Sequence, residues 1–105
     1  MEIKILLDGS LEEFIESLQK STIAKILRTI DLLGEFGPKL GMPHTKKISD
    51  HLFELRIRGV QEIRIFYTFH KSQIYLLHGF IKKSERTPKK EIRVALQKLK
   101  KLDIV

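Results

Sequence analysis

Apolar and polar positions change period several times along the chain. Residues 2–7, Glu-Ile-Lys-Ile-Leu-Leu, begin as an alternation and predict a short strand. Asp8-Gly9 breaks it, and Ser10 with Glu13 three residues on reads as a capping box. Leu11, Phe14, Ile15 and Leu18 then recur at i, i+3, i+4 and i+7, the helical spacing. Ser21 or Thr22 caps a second helix with Ile23, Ile26, Leu27, Ile30 and Leu33 on one face, ended by Gly34, Gly37 and Pro38. The two helices are expected to form an antiparallel hairpin, each giving one apolar stripe to a common core. Residues 37–51 show no period and predict a long irregular segment, tacked to the core by Leu40, Met42 and Ile48. Loops of that length inside small domains are uncommon and often functional.

From residue 52 the period becomes two. Phe53, Leu55 and Ile57 alternate with Glu54, Arg56 and Arg58, and after a turn Ile63, Ile65, Tyr67 and Phe69 alternate with Arg64, Phe66, Thr68 and His70. Lys71-Ser72 turns the chain again into residues 73–82. Three strands with short turns predict an antiparallel meander. Parity places Arg56, Arg58 and Arg64 on one face, opposite Leu55, Ile57, Ile63 and Ile65, unless a bulge intervenes. Thr87-Pro88 predicts a helix start, with Thr as N-cap and Pro at the first helical position. Over residues 87–102, Ile92, Ala95, Leu96 and Leu99 form its apolar stripe. The order β-α-α-β-β-β-α is α+β: an N-terminal strand and a helical hairpin packed on a small, mainly antiparallel sheet, with a C-terminal helix. No repeat or linker divides the chain, so residues 1–105 are expected to form a single domain.

Charge sharpens this picture. Lys and Arg number 20 against 13 Asp and Glu, a net charge of +7. Residues 1–80 hold 11 basic and 10 acidic side chains, whereas residues 81–105 hold 9 and 3. Two readings fit the C-terminal excess: a solvated, Lys-rich helix, in part favoured by the helix dipole, or a polyanion contact. Arg56, Arg58 and Arg64 divide in the same way. Either they are exposed and pair with Glu54 or Glu62 across strands, or they line an open concave face that receives phosphate, where a guanidinium binds two oxygens at once. Lys98, Lys100 and Lys101 are expected to be exposed, with little effect on folding.

Absences narrow the chemistry. There is no Cys, hence no disulfide, thiolate zinc site or Cys nucleophile. His44, His51, His70 and His78 match no zinc spacing, and there is no HExxH, GxSxG, Walker or GxGxxG motif. His78 sits in an apolar strand, which favours a hydrogen-bonded structural role over proton transfer. Asp8, Asp31, Asp50 and Asp103 are scattered, so a nuclease of this sequence is expected to be metal-independent and to need no cofactor. No signal pattern opens the chain, and no apolar run approaches the ~20 residues that span a bilayer. A soluble cytoplasmic protein is expected.

Four segments in this order resemble a known family. They are Leu52-Phe53-Glu54-Leu55-Arg56-Ile57-Arg58, then Ile63-Arg64-Ile65-Phe66-Tyr67, then Leu77-His78-Gly79-Phe80-Ile81-Lys82-Lys83, and Thr87-Pro88-Lys89-Lys90-Glu91-Ile92, with Met42-Pro43-His44-Thr45-Lys46-Lys47 upstream. Together they resemble the RelE/ParE superfamily of toxins from type II toxin–antitoxin modules, most of all its phage-derived, HigB-like branch. The resemblance spans nearly the whole chain. It implies a RelE-like fold and a toxin that enters the ribosomal A site and cuts mRNA by attack of a ribose 2′-OH on the adjacent phosphate. It implies three partners: a cognate antitoxin of helix-turn-helix type, the ribosome and mRNA.

Residue by residue, Arg64 stands where the family's sheet arginine precedes an apolar-apolar-Tyr run, and is expected to be an exposed phosphate clamp that the fold does not need. Arg56 stands at a cationic position of the preceding strand, and Lys83 matches the basic residue after the last strand. Arg64, Arg56 and Lys83 form the expected catalytic set. Arg58, Lys82, Lys90, Lys46, Lys47, Lys89 and Arg93 are the expected RNA and ribosome contacts. Lys90 stands where some members carry a base-stacking tyrosine, a role that a lysine does not fill. Tyr67 is assigned to the core. The resemblance leaves two other readings: a ParE-like inhibitor of DNA gyrase, and a non-catalytic member that binds only RNA or antitoxin.

Overall fold

The structure, a computed structural model, describes residues 1–5 and 9–102. Its strands are β1 (Glu2–Ile5), β2 (Thr45–Ser49), β3 (Leu52–Ile57), β4 (Ile63–His70) and β5 (Gln73–Ile81), and its helices are α1 (Ser10–Glu16), α2 (Lys20–Phe36) and α3 (Lys89–Lys100). The strands form one sheet in the order β1-β5-β4-β3-β2. The meander β3-β4-β5 is antiparallel, β2 adds antiparallel to β3, and β1 adds parallel to β5. This is the expected α+β architecture. No helix among the described residues is long and apolar enough to cross a membrane.

Each sheet face has its own core. Leu55, Ile57, Ile63, Ile65, Tyr67, Ile74 and Leu76 pack with Leu11 and Leu18 and with Ile26 and Leu33 of α2. On the opposite face Leu52, Phe66, Leu77 and Phe80 pack with Ala95, Ile92 and Leu99 of α3. The helical pair therefore covers one side and α3 the other, so the arginine-bearing face expected to be open is partly roofed. Tyr67 lies in the first core as assigned, and its hydroxyl donates to Thr45 Oγ1 at 2.8 Å. Burial raises the Tyr67 pKa above its ordinary value, and the Thr45 hydrogen bond opposes that shift.

A one-residue bulge lets β5 serve both cores. Phe66 pairs with His78 but Tyr67 with Leu76, so Leu77 is the extra residue. Ile74 and Leu76 face the α1/α2 side, yet His78 and Phe80 join Phe66 on the α3 side. Strict alternation would have kept all four on one face. Just beyond the bulge, Gly79 lets α1 approach: a Cβ there would lie 2.9 Å from Leu11 Cδ1 and 3.0 Å from the Phe14 ring.

Several local expectations are corrected. The predicted strand 2–7 is seen over Glu2–Ile5, and its remainder lies outside the described residues. The Ser10–Glu13 capping box does not form. Gly9, at φ 77°, is the N-cap, and Ser10 Oγ instead accepts from Lys98 Nζ at 2.5 Å. Gln19, not Ser21 or Thr22, caps α2, and Thr22 is buried on its first turn. Gly34 lies inside α2, which ends where Gly37 turns to φ 55°. The segment 37–51 is not irregular throughout, since a 3₁₀ turn at Gly37–Lys39 leads into β2. Leu40 and Ile48 do pack on the cores, whereas Met42 is exposed. Pro88 is the N-cap of α3 rather than its first residue. Within its stripe Leu96 is exposed. Lys98, expected in solvent, is nine-tenths buried.

Gly79→Ala should lower stability by about 1–3 kcal/mol, because α1 must retreat from a packed strand. Urea midpoints check this, and an unchanged midpoint would show that α1 does not bear on Gly79.

Candidate functional site

The centre of the site is a buried carboxylate. Glu54, in the middle of β3, is 1% exposed. Its Oε1 accepts from Arg56 Nε at 3.3 Å and lies 3.5 Å from Arg64 Nε. Its Oε2 accepts from Thr87 Oγ1 at 2.8 Å. The strands dictate this grouping. Arg56 is two residues on, hence on the same face, and the register sets Arg56 directly opposite Arg64 on β4. Two like charges facing each other across a strand pair repel. Glu54, diagonal to Arg64, puts a negative charge between them.

Arg64 is therefore not the exposed side chain expected. It is 2% exposed. Its Nη1 donates to Glu62 Oε2 and to the Ile63 carbonyl, both at 3.1 Å. Its Nε lies within ion-pair distance of Glu54 but makes no hydrogen bond. The guanidinium is thus fixed from two sides by carboxylates. Thr87, predicted to cap α3, spends its hydroxyl on Glu54 and so ties the start of α3 to the cluster. In the first turn of α3, Glu91 Oε1 lies 2.8 Å from His78 Nε2, and the imidazole stacks over Phe66 and Phe80. His78 has the hydrogen-bonded role expected of it.

Next to this cluster lies an open depression of about 480 Å³, lined by Arg58, Glu62, Arg64, Lys82, Lys83 and the 84–85 turn. Its shape follows from two strand ends. β3 ends at Ile57, so Arg58 is free of the alternation. β5 ends at Ile81, with the Lys82 amide still bonded to the Glu62 carbonyl at 2.8 Å, so Lys82 and Lys83 both reach the same hollow. Four cations face two carboxylates, Glu62 and Glu85, and Glu62 is already held by Arg64. An open hollow with excess positive charge suits a phosphodiester, whose oxygens accept from Arg forks and Lys ammonium groups.

Of the expected site residues, the fold gathers Arg64, Arg58, Lys82 and Lys83 in this hollow. Arg56 touches Glu54 but lines a neighbouring cleft. Lys46 and Lys47 are exposed on edge strand β2, with Lys46 opposite Glu54 and so on the site's face, and Lys47 on the other. Lys89, Lys90 and Arg93 are exposed on α3. Sequence reasoning did not assign Thr87 to the site, nor Glu54 the central place. Parity alone set Glu54 beside Arg56, and that was the available signal. Among the described residues no three His, Asp or Glu side chains come together as a metal site.

The fold and this hollow define a small α+β protein with a carboxylate-braced cationic surface. The family described as phage-derived protein Gp49-like (DUF891) matches residues 13–100. The chain belongs to that family, a RelE-like toxin family of the toxin–antitoxin setting. No curated protein matches the chain.

Arg64→Ala should destabilise the protein by about 3–5 kcal/mol, because it leaves Glu54 buried with one partner fewer. Arg58→Ala, at an exposed position, should change stability by less than about 0.5 kcal/mol. Chemical denaturation of both variants checks this, and equal stabilities would show that Arg64 is not braced by Glu54.

Proposed function

We propose that the protein is the toxin of a type II toxin–antitoxin module, of the HigB-like kind, and that it cuts mRNA on the ribosome in the cytoplasm. The observation that carries this reading is the hollow in which Arg64, fixed by Glu54 and Glu62, sits beside Arg58, Lys82 and Lys83. The whole activity is assigned to one domain, residues 1–105. Its partners are the ribosome, mRNA and an antitoxin of helix-turn-helix type. The antitoxin binds partly through the basic surface by charge complementarity and so competes with the ribosome.

The reaction is transesterification. The ribose 2′-oxygen forms a bond to the adjacent phosphorus, the bond from phosphorus to the 5′-oxygen breaks, and a 2′,3′-cyclic phosphate and a 5′-hydroxyl result. One proton leaves the 2′-hydroxyl and one reaches the 5′-oxygen. Arg64 and Arg58 hold the non-bridging oxygens as charge builds on the phosphorane. Lys83, exposed at the rim, protonates the leaving oxygen, with Lys82 beside it. Arg56 acts through Glu54, as a positioning residue. A brace of this kind suits catalysis because a preorganised cation needs no rearrangement as charge develops. Lys46, Lys47, Lys89, Lys90 and Arg93 contact the surrounding RNA.

A second reading is favoured by one observation. Arg64 already has two carboxylate partners, which fits a non-catalytic member that binds RNA or antitoxin through the same surface. End-mapping of mRNA after induction in growing cells separates the two. Cuts within translated codons support the nuclease, and arrest with intact mRNA supports the binder.

Lys83→Ala should leave the fold intact and lower the cleavage rate about 10²–10³-fold. Protein treated with chelator, then freed of it before assay on ribosomes, should cut at the untreated rate. Full activity in Lys83→Ala contradicts the assigned acid. Loss on chelation, restored by zinc or manganese, contradicts a metal-independent reaction.

A further inference from the structure

A second cleft lies on the other side of Arg58, between α2 and the end of β3. It has a volume of about 280 Å³ and is lined by Lys25, Arg28, His44, Arg56 and Arg58, with Leu32, Pro43 and Ile57 as its apolar wall. Among the described residues no carboxylate lines it. Among the described residues Lys25, Arg28 and Arg58 have no ion-pair partner, in contrast to Arg56 and Arg64. The cleft therefore has uncompensated positive charge where the first hollow is partly neutralised.

Its cations are also placed. Lys25 and Arg28 are three residues apart on α2, so they lie on one face of the helix. Lys25 Nζ donates to the Arg58 carbonyl at 3.3 Å. Its stem crosses Gly59 so closely that a Cβ there would lie 2.8 Å from Nζ. The ammonium is thereby held at the rim next to Arg58, and Arg58 lines both depressions.

We propose that this cleft is a second phosphate site, which receives the backbone of the same single-stranded RNA a few nucleotides from the scissile bond, with Arg58 bridging the two sites. The inference rests on the RNA-binding reading above. A single strand fits better than a duplex or an acidic protein segment. The cleft's apolar wall of Leu32, Pro43 and Ile57 accepts a sugar or base, and the guanidinium groups of Arg28 and Arg58 match phosphate. The strand would thus be anchored at two points around the end of β3, which fixes its direction through the first hollow.

The test is binding of 2′-O-methyl oligonucleotides, which keep every phosphate but have no attacking hydroxyl. A trinucleotide fills the first hollow, and an oligomer of about nine nucleotides reaches both. The double variant Lys25→Gln/Arg28→Gln should bind the longer strand about tenfold more weakly at low salt. Its log–log salt slope should be smaller by about 1.4, the value for two lost phosphate contacts on a single strand. Trinucleotide binding should not change, and the charge-preserving Lys25→Arg/Arg28→Lys variant should restore the slope. An unchanged slope, with Arg58→Gln/Lys83→Gln weakening both oligomers, would overturn this inference and leave the proposed function standing. If the wild type binds neither oligomer, this inference falls, while cutting on the ribosome is decided by the end-mapping of mRNA. Loss of polyglutamate binding with an unchanged RNA slope would overturn the inference in favour of an acidic protein partner.

Discussion

A carboxylate that is 1% exposed organises this molecule's polar face. Removing a charge from water is costly, and it persists only where partners surround it. Glu54 meets that condition with Arg56 from its own strand, Arg64 from the next, and Thr87 from the approach to α3. The register of β3 on β4 brings the two arginines face to face. Without Glu54 the pair would be repulsive. With it, the arginines are held in place and Arg64 is turned towards the hollow formed with Lys82 and Lys83.

The position of this cluster depends on how the sheet divides its two faces. The bulge at Leu77 moves His78 and Phe80 to the α3 side, where they stack with Phe66 and seat the first turn of α3 through Glu91. That placement brings Thr87 to Glu54. The apolar core, the aromatic stack and the charge cluster are thus successive steps along one face. Exposed basic residues lie on α3 and β2, and Lys25 and Arg28 extend positive charge around the strand ends towards α2. A domain of this size has little volume for a deep pocket. A shallow hollow of cations at strand ends, with Arg64 braced, suits a ligand whose recognition rests on phosphate.

Much of the fold was legible because it depends on periodicity. The meander, α2 and α3 follow from repeats of two and of 3.6, and the arginine face follows from parity. Local chemistry was harder to read, since several partners are distant in sequence. Ser10 looked like a cap, but its hydroxyl meets Lys98, 88 residues away. Thr87 looked like a cap, but Glu54 reaches it first. Lys98 looked solvated because a helix pattern does not show what lies beyond its end. β2 was missed because an edge strand such as Thr-Lys-Lys-Ile-Ser has few apolar residues to mark it. The site residues were carried over from the family resemblance, and four of them do converge. Their carboxylate brace was less visible, because Arg64 is held between Glu54 of the neighbouring strand and Glu62, and alternation shows a shared face but not which side chains meet on it.

The central claim is that Glu54 and Arg64 act as one unit. A double-mutant cycle in urea, using Glu54→Gln, Arg64→Gln and the pair, tests it most directly. Each single change leaves a buried partner with one counter-charge fewer, Glu54 with Arg56 and Arg64 with Glu62, whereas the double change removes both charges. The account predicts a double variant more stable than the sum of the two losses implies, with a coupling of about 1–3 kcal/mol. Strictly additive losses would contradict it, because they would mean that Arg64 is held by Glu62 and packing alone.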